Sequence, residues 1–494
     1  MAESILLNIE DFGTIDAESD KKLLNYFVET KYLERVLEFE KSIIIGRKGS
    51  GKTAIYKYIK KNKENTEGLL FKDYPWRIHD AFKNSIVSEQ ESFINSWTFL
   101  IYIEFLKLVV KNIDEYDKKT KKEIKKIKKW LKKNWGTASF DFKNTFSPRK
   151  KRFLWSFNPQ AFGFSLGSIS KVFENKQELS ETLTEINKSL KNILTKINEK
   201  GVEYNLIFDE LDLGYDPFDN TYKTRIIGLL LSAYRSYNEF GDNLRVYVFI
   251  RSDIVKELTF QDKNKIKDNI IQDLNWEPND EDSNLSLKQL VSRRIKENIT
   301  SSTDKFNSNW NSIVDNRNIG RNQKKWNYII ERTFLRPRDV IKFLNLILEE
   351  AKKRIKKEKK TSSKIVNIDI QNSKKSYSEY LYSELSDEVK AKHPNFDNYL
   401  EILREIHNVS FSLEDFTIAY EEVSKRLNID ESASEILEIF YNFSVISFYK
   451  AGGGGYGGST YCFIYKDTDI KFNPKATKFK THLGFKEYLD LVER

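Results

Sequence analysis

Gly46-Arg47-Lys48-Gly49-Ser50-Gly51-Lys52-Thr53 follows the apolar run Ile43-Ile44-Ile45 and precedes a stretch, Lys52 to about Lys63, that reads as a helix. The octapeptide satisfies G-x-x-x-x-G-K-[ST] at every position, and its flanks are the strand and helix that the pattern requires. Glycines let the backbone close around phosphates, the loop N–H groups and the helix N-terminus donate to their oxygens, and a lysine neutralises them. Gly46, Gly49, Ser50, Gly51, Lys52 and Thr53 are thus the expected ATP-binding residues, with the Thr53 hydroxyl directed to Mg²⁺.

A P-loop that turns over its nucleotide needs acids at a neighbouring strand end. Leu206-Ile207-Phe208-Asp209-Glu210 supplies them, because the apolar strand Tyr204 to Phe208 ends in two adjacent carboxylates. Asp209 is expected to hold Mg²⁺ and Glu210 to orient or deprotonate the attacking water, while Asp212 reads as structural. Without the phosphate loop the same acids would read as a helix N-cap.

Two basic positions belong beside this pair. Strand Arg245 to Ile250 ends in Arg251-Ser252-Asp253, where Arg251 either reaches the γ-phosphate or merely closes the strand at the surface. Leu335-Arg336-Pro337-Arg338-Asp339 opens a helix running to Lys357, with Arg338 near phosphate, Pro337 near the adenine and Asp339 as a cap. Arg293 and Arg294 read either as an arginine finger toward a neighbouring subunit or as a helical surface pair.

The 494 residues exceed one hydrophobic core, so several domains are expected. An apolar share of 39% is low, but 34 Phe, 25 Tyr and 8 Trp supply core volume. The +10 charge has two readings, attraction to a polyanion such as DNA or a Lys- and Asn-rich compositional bias. Cys462 is the single cysteine, which excludes an intramolecular disulfide and multi-cysteine zinc sites and fits a reducing cytoplasm. No apolar run of 18 or more residues stands out, so a soluble, unexported chain without a membrane span is expected. His79, His393, His407 and His482 lack ligand spacing.

The pattern divides the chain into an N-terminal helix and first part of the core (1–71), an insertion (72–178), the rest of the core (179–300), a helical lid (301–360) and a C-terminal region (361–494). The insertion reads as an apolar helix from Ser92 to Val110, a basic helix from Asp117 to Lys133, and aromatic hairpins at Phe140, Phe142, Phe153, Trp155, Phe157, Phe162 and Phe164. After a polar link from about Thr361, helices at Tyr377–Val389, Asn395–His407, Leu413–Leu427 and Ser432–Phe443 precede a wing. The wing comprises Val445 to Tyr449, a glycine tip at Gly452 to Gly458, and Tyr461 to Tyr465. The expected fold class is therefore α/β: a P-loop parallel-sheet core with an inserted helical and β segment, a helical lid and a winged-helix-like C-terminal domain.

Together, Gly46 to Thr53, Phe208 to Asp212, Phe249 to Asp253 and Arg336 to Asp339 resemble a group of prokaryotic AAA+/STAND-like P-loop ATPases with a winged-helix-like C-terminus. Phe12-Gly13, Asp16-Ala17-Glu18, Phe463 to Tyr465 and Thr481 to Phe485 are also similar to that group. The resemblance implies a conformational ATPase and suggests antiviral defence; a protein partner or effector, or assembly of the chain with itself, is a separate expectation. The long insertion departs from ordinary AAA+ modules.

Three function classes stay open at this point: an ATP-driven switch or assembly ATPase, a DNA-associated ATPase of initiator or transposition-regulator type, and an ATP-binding scaffold with little turnover. The helix from Asp117 to Lys133 carries ten Lys against two acids and an apolar stripe at Ile124, Ile127 and Leu131. It reads as a core-docked solvated helix, a nucleic-acid contact or a membrane-surface helix.

Overall fold

A computed structural model describes residues 5–80, 88–147, 179–213, 216, 218–241, 243–280, 286–299, 305–357, 362–452 and 458–493. The chain forms two compact units, one of residues 29–48 and 52–274 and the other of residues 1–28, 49–51 and 275–494.

The chain begins with α1 (Ile5–Asn8) and α2 (Lys31–Leu37), the latter capped by the Thr30 hydroxyl, which accepts from the Leu33 N–H. In the 29–274 unit, β1 (Ile43–Gly46), β2 (Thr66–Leu70), β3 (Tyr204–Asp209), β4 (Leu244–Arg251) and β5 (Ile271–Asp273) form one parallel sheet in the order β2-β3-β4-β1-β5. Strands β1 and β3 are buried along their whole length, as the runs Ile43-Ile44-Ile45 and Leu206-Ile207-Phe208 require in a sheet covered on both faces. The edge strands are weaker in sequence. Thr66-Glu67-Gly68-Leu69-Leu70 is mostly half-exposed, and β5 has three residues, so periodicity does not reveal either.

Helix α3 (Lys52–Asn62) leaves the P-loop, and α4 (Trp76–Asp80) follows β2. The inserted segment then builds α5 (Glu89–Lys111), α6 (Lys118–Trp135) and α7 (Leu179–Ile197) before the chain returns to β3. Helix α5 is long and apolar enough to cross a membrane, which corrects the expectation that no such run exists, but 89% of its apolar window is buried in the protein. It is a core helix, packed against α7 and against α8 (Asn220–Phe240). Helices α9 (Ser252–Glu257) and α10 (Lys263–Ile270) lead from β4 to β5.

The first of the expected aromatic hairpins is absent. Phe140 stacks on Trp135 at 4.8 Å, while Asp141 accepts from the Lys143 N–H and turns the chain into a 3₁₀ helix at Phe142–Asn144. Phe142 packs against Phe71 and Tyr74, so the alternation there serves an aromatic cluster rather than a strand. Phe153, Trp155, Phe157, Phe162 and Phe164 lie outside the described residues.

The other unit holds α11 (Leu287–Asn298), α12 (Phe306–Ile313), α13 (Lys325–Ile330), α14 (Pro337–Lys357), α15 (Asn367–Val389) and α16 (Phe396–Ile406). Helix α15 starts ten residues before the expected Tyr377, inside what read as a polar link. Asp369 explains this: its carboxylate accepts from the Val366 N–H at 2.9 Å and holds Arg354 of α14 through two hydrogen bonds, at 2.8 and 2.9 Å.

Strand β6 (Ser410–Ser412), α17 (Leu413–Leu427), α18 (Ala433–Asn442), β7 (Ile446–Lys450), β8 (Thr460–Cys462) and β9 (Lys478–Thr481) complete the chain. The sheet is antiparallel and four-stranded, in the order β6-β9-β7-β8, where two strands were expected. Strand β8 stops at Cys462 because the chain turns, with the Lys466 N–H donating to the Phe463 carbonyl at 3.1 Å. Residues 453–457, most of the glycine tip, lie outside the described residues.

Gly228 of α8 tests the helix packing under the sheet. A Cβ there would lie 2.6 Å from the Phe93 side chain and 3.0 Å from its backbone on α5. Gly228→Ala should therefore destabilise the protein by about 1–3 kcal/mol, although alanine is the better helix former by about 1 kcal/mol. Urea unfolding checks this, and an unchanged or raised midpoint would contradict the close approach.

Candidate nucleotide site

Three neighbouring strands bring the chemistry together. Strand β4 lies between β1 and β3, and its register sets Arg251 opposite Gly46 and Val248 opposite Phe208. The P-loop, the end of β4 and the acids after β3 therefore emerge along one edge of the sheet.

The loop has the backbone that phosphate binding needs. Gly49 and Gly51 adopt φ of +80° and +100°, values that a side chain would strain. The Lys52 ammonium turns back onto the loop, donating to the carbonyls of Gly46 at 2.9 Å and Arg47 at 3.2 Å. Loss of hydration pushes its pKa down, and Asp212 and Asp209 oppose that shift. Thr53 is the second residue of α3 and is half-buried.

Asp209 is the last residue of β3 and 5% exposed. Its Oδ1 accepts from the Glu210 N–H at 2.9 Å, whereas its Oδ2 is buried with no hydrogen-bond partner. Burial raises its pKa to about 6 against the lowering effects of the Glu210 N–H and Lys52. A buried carboxylate oxygen without a donor is costly, and a hydrated cation is the group that would satisfy it. The donor set of Asp209 and a threonine hydroxyl is oxygen-only, as Mg²⁺ prefers. Among the described residues no cluster of three His, Cys, Asp or Glu could hold a metal by itself, so phosphate and water oxygens would have to complete the shell.

Glu210 sits at φ +59°, in the left-handed region that a non-glycine residue rarely occupies. That turn takes the chain out of the strand while the Asp209 carboxylate caps the Glu210 N–H.

Arg251 is already engaged. It forms two hydrogen bonds to Asp253, at 3.1 and 2.6 Å, and lies 3.5 Å from Asp212. Asp253 keeps a lowered pKa: burial raises it, and Arg251 more than offsets that. Asp212 thus faces the site electrostatically, a position that its sequence context does not distinguish from a structural acid.

The remaining candidates belong to the unit of residues 1–28, 49–51 and 275–494. Pro337 is buried at the start of α14. Arg338 pairs with Glu384 at 3.0 Å, its backbone N–H approaches the Gly49 carbonyl at 3.4 Å, and its buried Nε has no hydrogen-bond partner. Arg336 is locked to Asp339 by two hydrogen bonds of 2.8 Å, and Asp339 also accepts from the Phe334 N–H at 3.1 Å. The indole of Trp276 donates to the Ser50 carbonyl at 2.8 Å, a contact that no sequence pattern announces.

Arg294 does not suit a role toward another subunit. It is 5% exposed, donates to the Phe12 carbonyl at 2.8 Å, lies 3.6 Å from Asp20 and stacks 4.1 Å over Tyr26. Arg293 beside it is exposed.

Residues 13–63 match the ORC-CDC6-like family model, and residues 285–386 match that of the FunZ-associated C-terminal helical domain. The first match contains Gly46 to Thr53 and supports an AAA+ P-loop ATPase. No curated protein matches the chain by sequence. Among solved structures, the chain is similar to the Aeropyrum pernix Orc1 protein in complex with DNA, at 11% identity over 95% of this chain and 96% of that one, with a TM-score of 0.36. It is also similar to Cdc6p from Pyrobaculum aerophilum, at 10% identity over 93% and 90% of the two chains, with a TM-score of 0.28.

The exposed cost of Asp209 is measurable. Its folded pKa of about 6 exceeds the unfolded value, so the folded state takes up a proton more readily and the ionised carboxylate opposes folding at neutral pH. Without nucleotide and in EDTA, Asp209→Asn should stabilise the fold at pH 7.5 by about 3 kcal/mol. The gap should narrow as pH falls through 6 and close near pH 4. Denaturant midpoints across that range provide the check, and a gap that is absent or widens on acidification would contradict the assignment.

Proposed function

We propose that the chain is an ATP-binding and ATP-hydrolysing conformational switch of initiator type. The observation that carries this reading is the buried, unpartnered Asp209 Oδ2 at the same sheet edge as a complete P-loop. The ORC-CDC6-like match across that loop supports the initiator class.

Each residue has a task in this reading. The loop backbone from Gly46 to Thr53 receives the phosphates, and Lys52 exchanges its carbonyl acceptors for phosphate oxygens. Thr53 and Asp209 hold Mg²⁺, which when bound withdraws charge from the phosphates. Glu210 orients the attacking water and takes its proton as the water oxygen bonds to the γ-phosphorus and the bond from that phosphorus to the β,γ-bridging oxygen breaks, with ADP as the leaving group and inorganic phosphate as the other product. Arg251 stays near the γ-phosphate by way of Asp253 and Asp212, which fix its guanidinium. Arg338 is assigned to phosphate contact, and within its own unit its guanidinium is held by Glu384 at 3.0 Å.

Two variants separate binding from chemistry. Lys52→Ala should weaken ATP binding by about tenfold or more, since one charge-assisted contact contributes about 1.5–3 kcal/mol. Glu210→Gln should retain MgATP and lose turnover by about 10²–10⁴-fold. Nucleotide titration and single-turnover assays measure the two. Full binding by a folded Lys52→Ala protein sinks the phosphate-loop assignment, and unchanged turnover by Glu210→Gln moves the base elsewhere.

A further inference from the structure

We infer that α6 is a docking rail for the phosphate backbone of duplex DNA, independent of base sequence. The rail lies in the inserted segment and has no part in the nucleotide site described above.

The lysines of α6 are not scattered. Lys118, Lys122, Lys125, Lys129 and Lys132 recur at four- and three-residue steps, which places them within an arc of about 80° and along about 21 Å of helix. All five are exposed. Lys119, Lys126 and Lys133 flank this stripe on one side, and Lys121 and Lys128 flank it on the other. Among the described residues, two of the ten lysines meet an acid in an ion pair: Lys126 with Glu123 at 3.0 Å and Lys121 with Asp114 at 3.4 Å.

The helix is held rigidly under that charge. Asp117 accepts from the N–H groups of Lys119 and Thr120 at the N-terminus, and Gly136 at φ +83° ends the helix. Ile124, Ile127, Trp130, Leu131 and Trp135 are 0–7% exposed and pack in the core of the 29–274 unit.

These facts select among polyanions. A helix at a membrane surface needs its apolar face for the acyl boundary, and here that face is already used inside the protein. Single-stranded nucleic acid is held by stacking on aromatic rings, and both tryptophans of α6 are buried. A convex helix about 10–12 Å across, with lysines on its crest and both flanks, suits the ~12 Å major groove of B-form DNA, whose walls are phosphates. The deep, narrow major groove of duplex RNA does not admit such a helix. Lysine ammonium groups on the exposed arc pair with phosphate as point charges, so no base preference is expected.

The test is fluorescence anisotropy of the full chain with a labelled 30-bp DNA duplex from 50 to 300 mM NaCl, without nucleotide, so that its outcome is separate from that of the ATPase reading. Wild type should bind unrelated duplex sequences equally. Lys122→Gln, Lys125→Gln, Lys129→Gln and Lys132→Gln combined should lower affinity by about tenfold or more and flatten the log–log salt slope by up to about 3.6, at about 0.9 per phosphate contact. The four Lys→Arg replacements should restore binding, and ATP turnover should be unchanged in both variants. No duplex binding by wild type at 50 mM salt, an unchanged slope in the glutamine variant, equal competition by duplex RNA, or a loss confined to anionic phosphatidylserine vesicles would each overturn the proposal.

Discussion

The register that sets Gly46 of β1 opposite Arg251 of β4 is the constraint on which the nucleotide site depends. A parallel sheet orders its strand ends along one edge, so fixing this pair also fixes where β3 delivers Asp209 and Glu210, one strand further on. Charges of both signs then share a small region: Lys52 and Arg251 against Asp209, Asp212 and Asp253. Burial first, with Asp212 and Glu210 adding to it, keeps Asp209 hard to ionise although a lysine and a backbone donor both favour its charge.

Burial of that carboxylate is a stored preference for a cation. The turn at Glu210 adds backbone strain to the same two residues, a combination that sequence-to-fold consistency alone would remove. Folding therefore yields a site that is least comfortable without ligand, which is the condition for a ligand to shift conformational populations.

Much of this was legible because its signals are local. Three isoleucines before a glycine loop, and Leu-Ile-Phe before two acids, announce buried strands and their chemistry without any neighbour. The rest was set by distant partners. Helix α15 begins at Asn367 because Asp369 finds both Val366 and Arg354, and no periodicity in Lys- and Ser-rich sequence foretells that. Phe140 and Phe142 alternate as in a strand, yet their partners are Trp135, Phe71 and Tyr74. Arg294 looked like a surface arginine on a helix, and its burial depends on Phe12, Asp20 and Tyr26, more than 260 residues earlier. Strands β6 and β9 pair across about 65 residues, so neither is visible alone.

The central claim is that Asp209 and Thr53 hold a divalent ion on a nucleotide cradled by the loop from Gly46. Anomalous diffraction from crystals grown with Mn²⁺ and a non-hydrolysable ATP analogue addresses it most directly. The account predicts one manganese peak beside Asp209 Oδ2 and the Thr53 hydroxyl, with the Lys52 ammonium on phosphate rather than on the Gly46 carbonyl. Nucleotide bound in the loop with manganese elsewhere, or Lys52 still donating to Gly46, would contradict it.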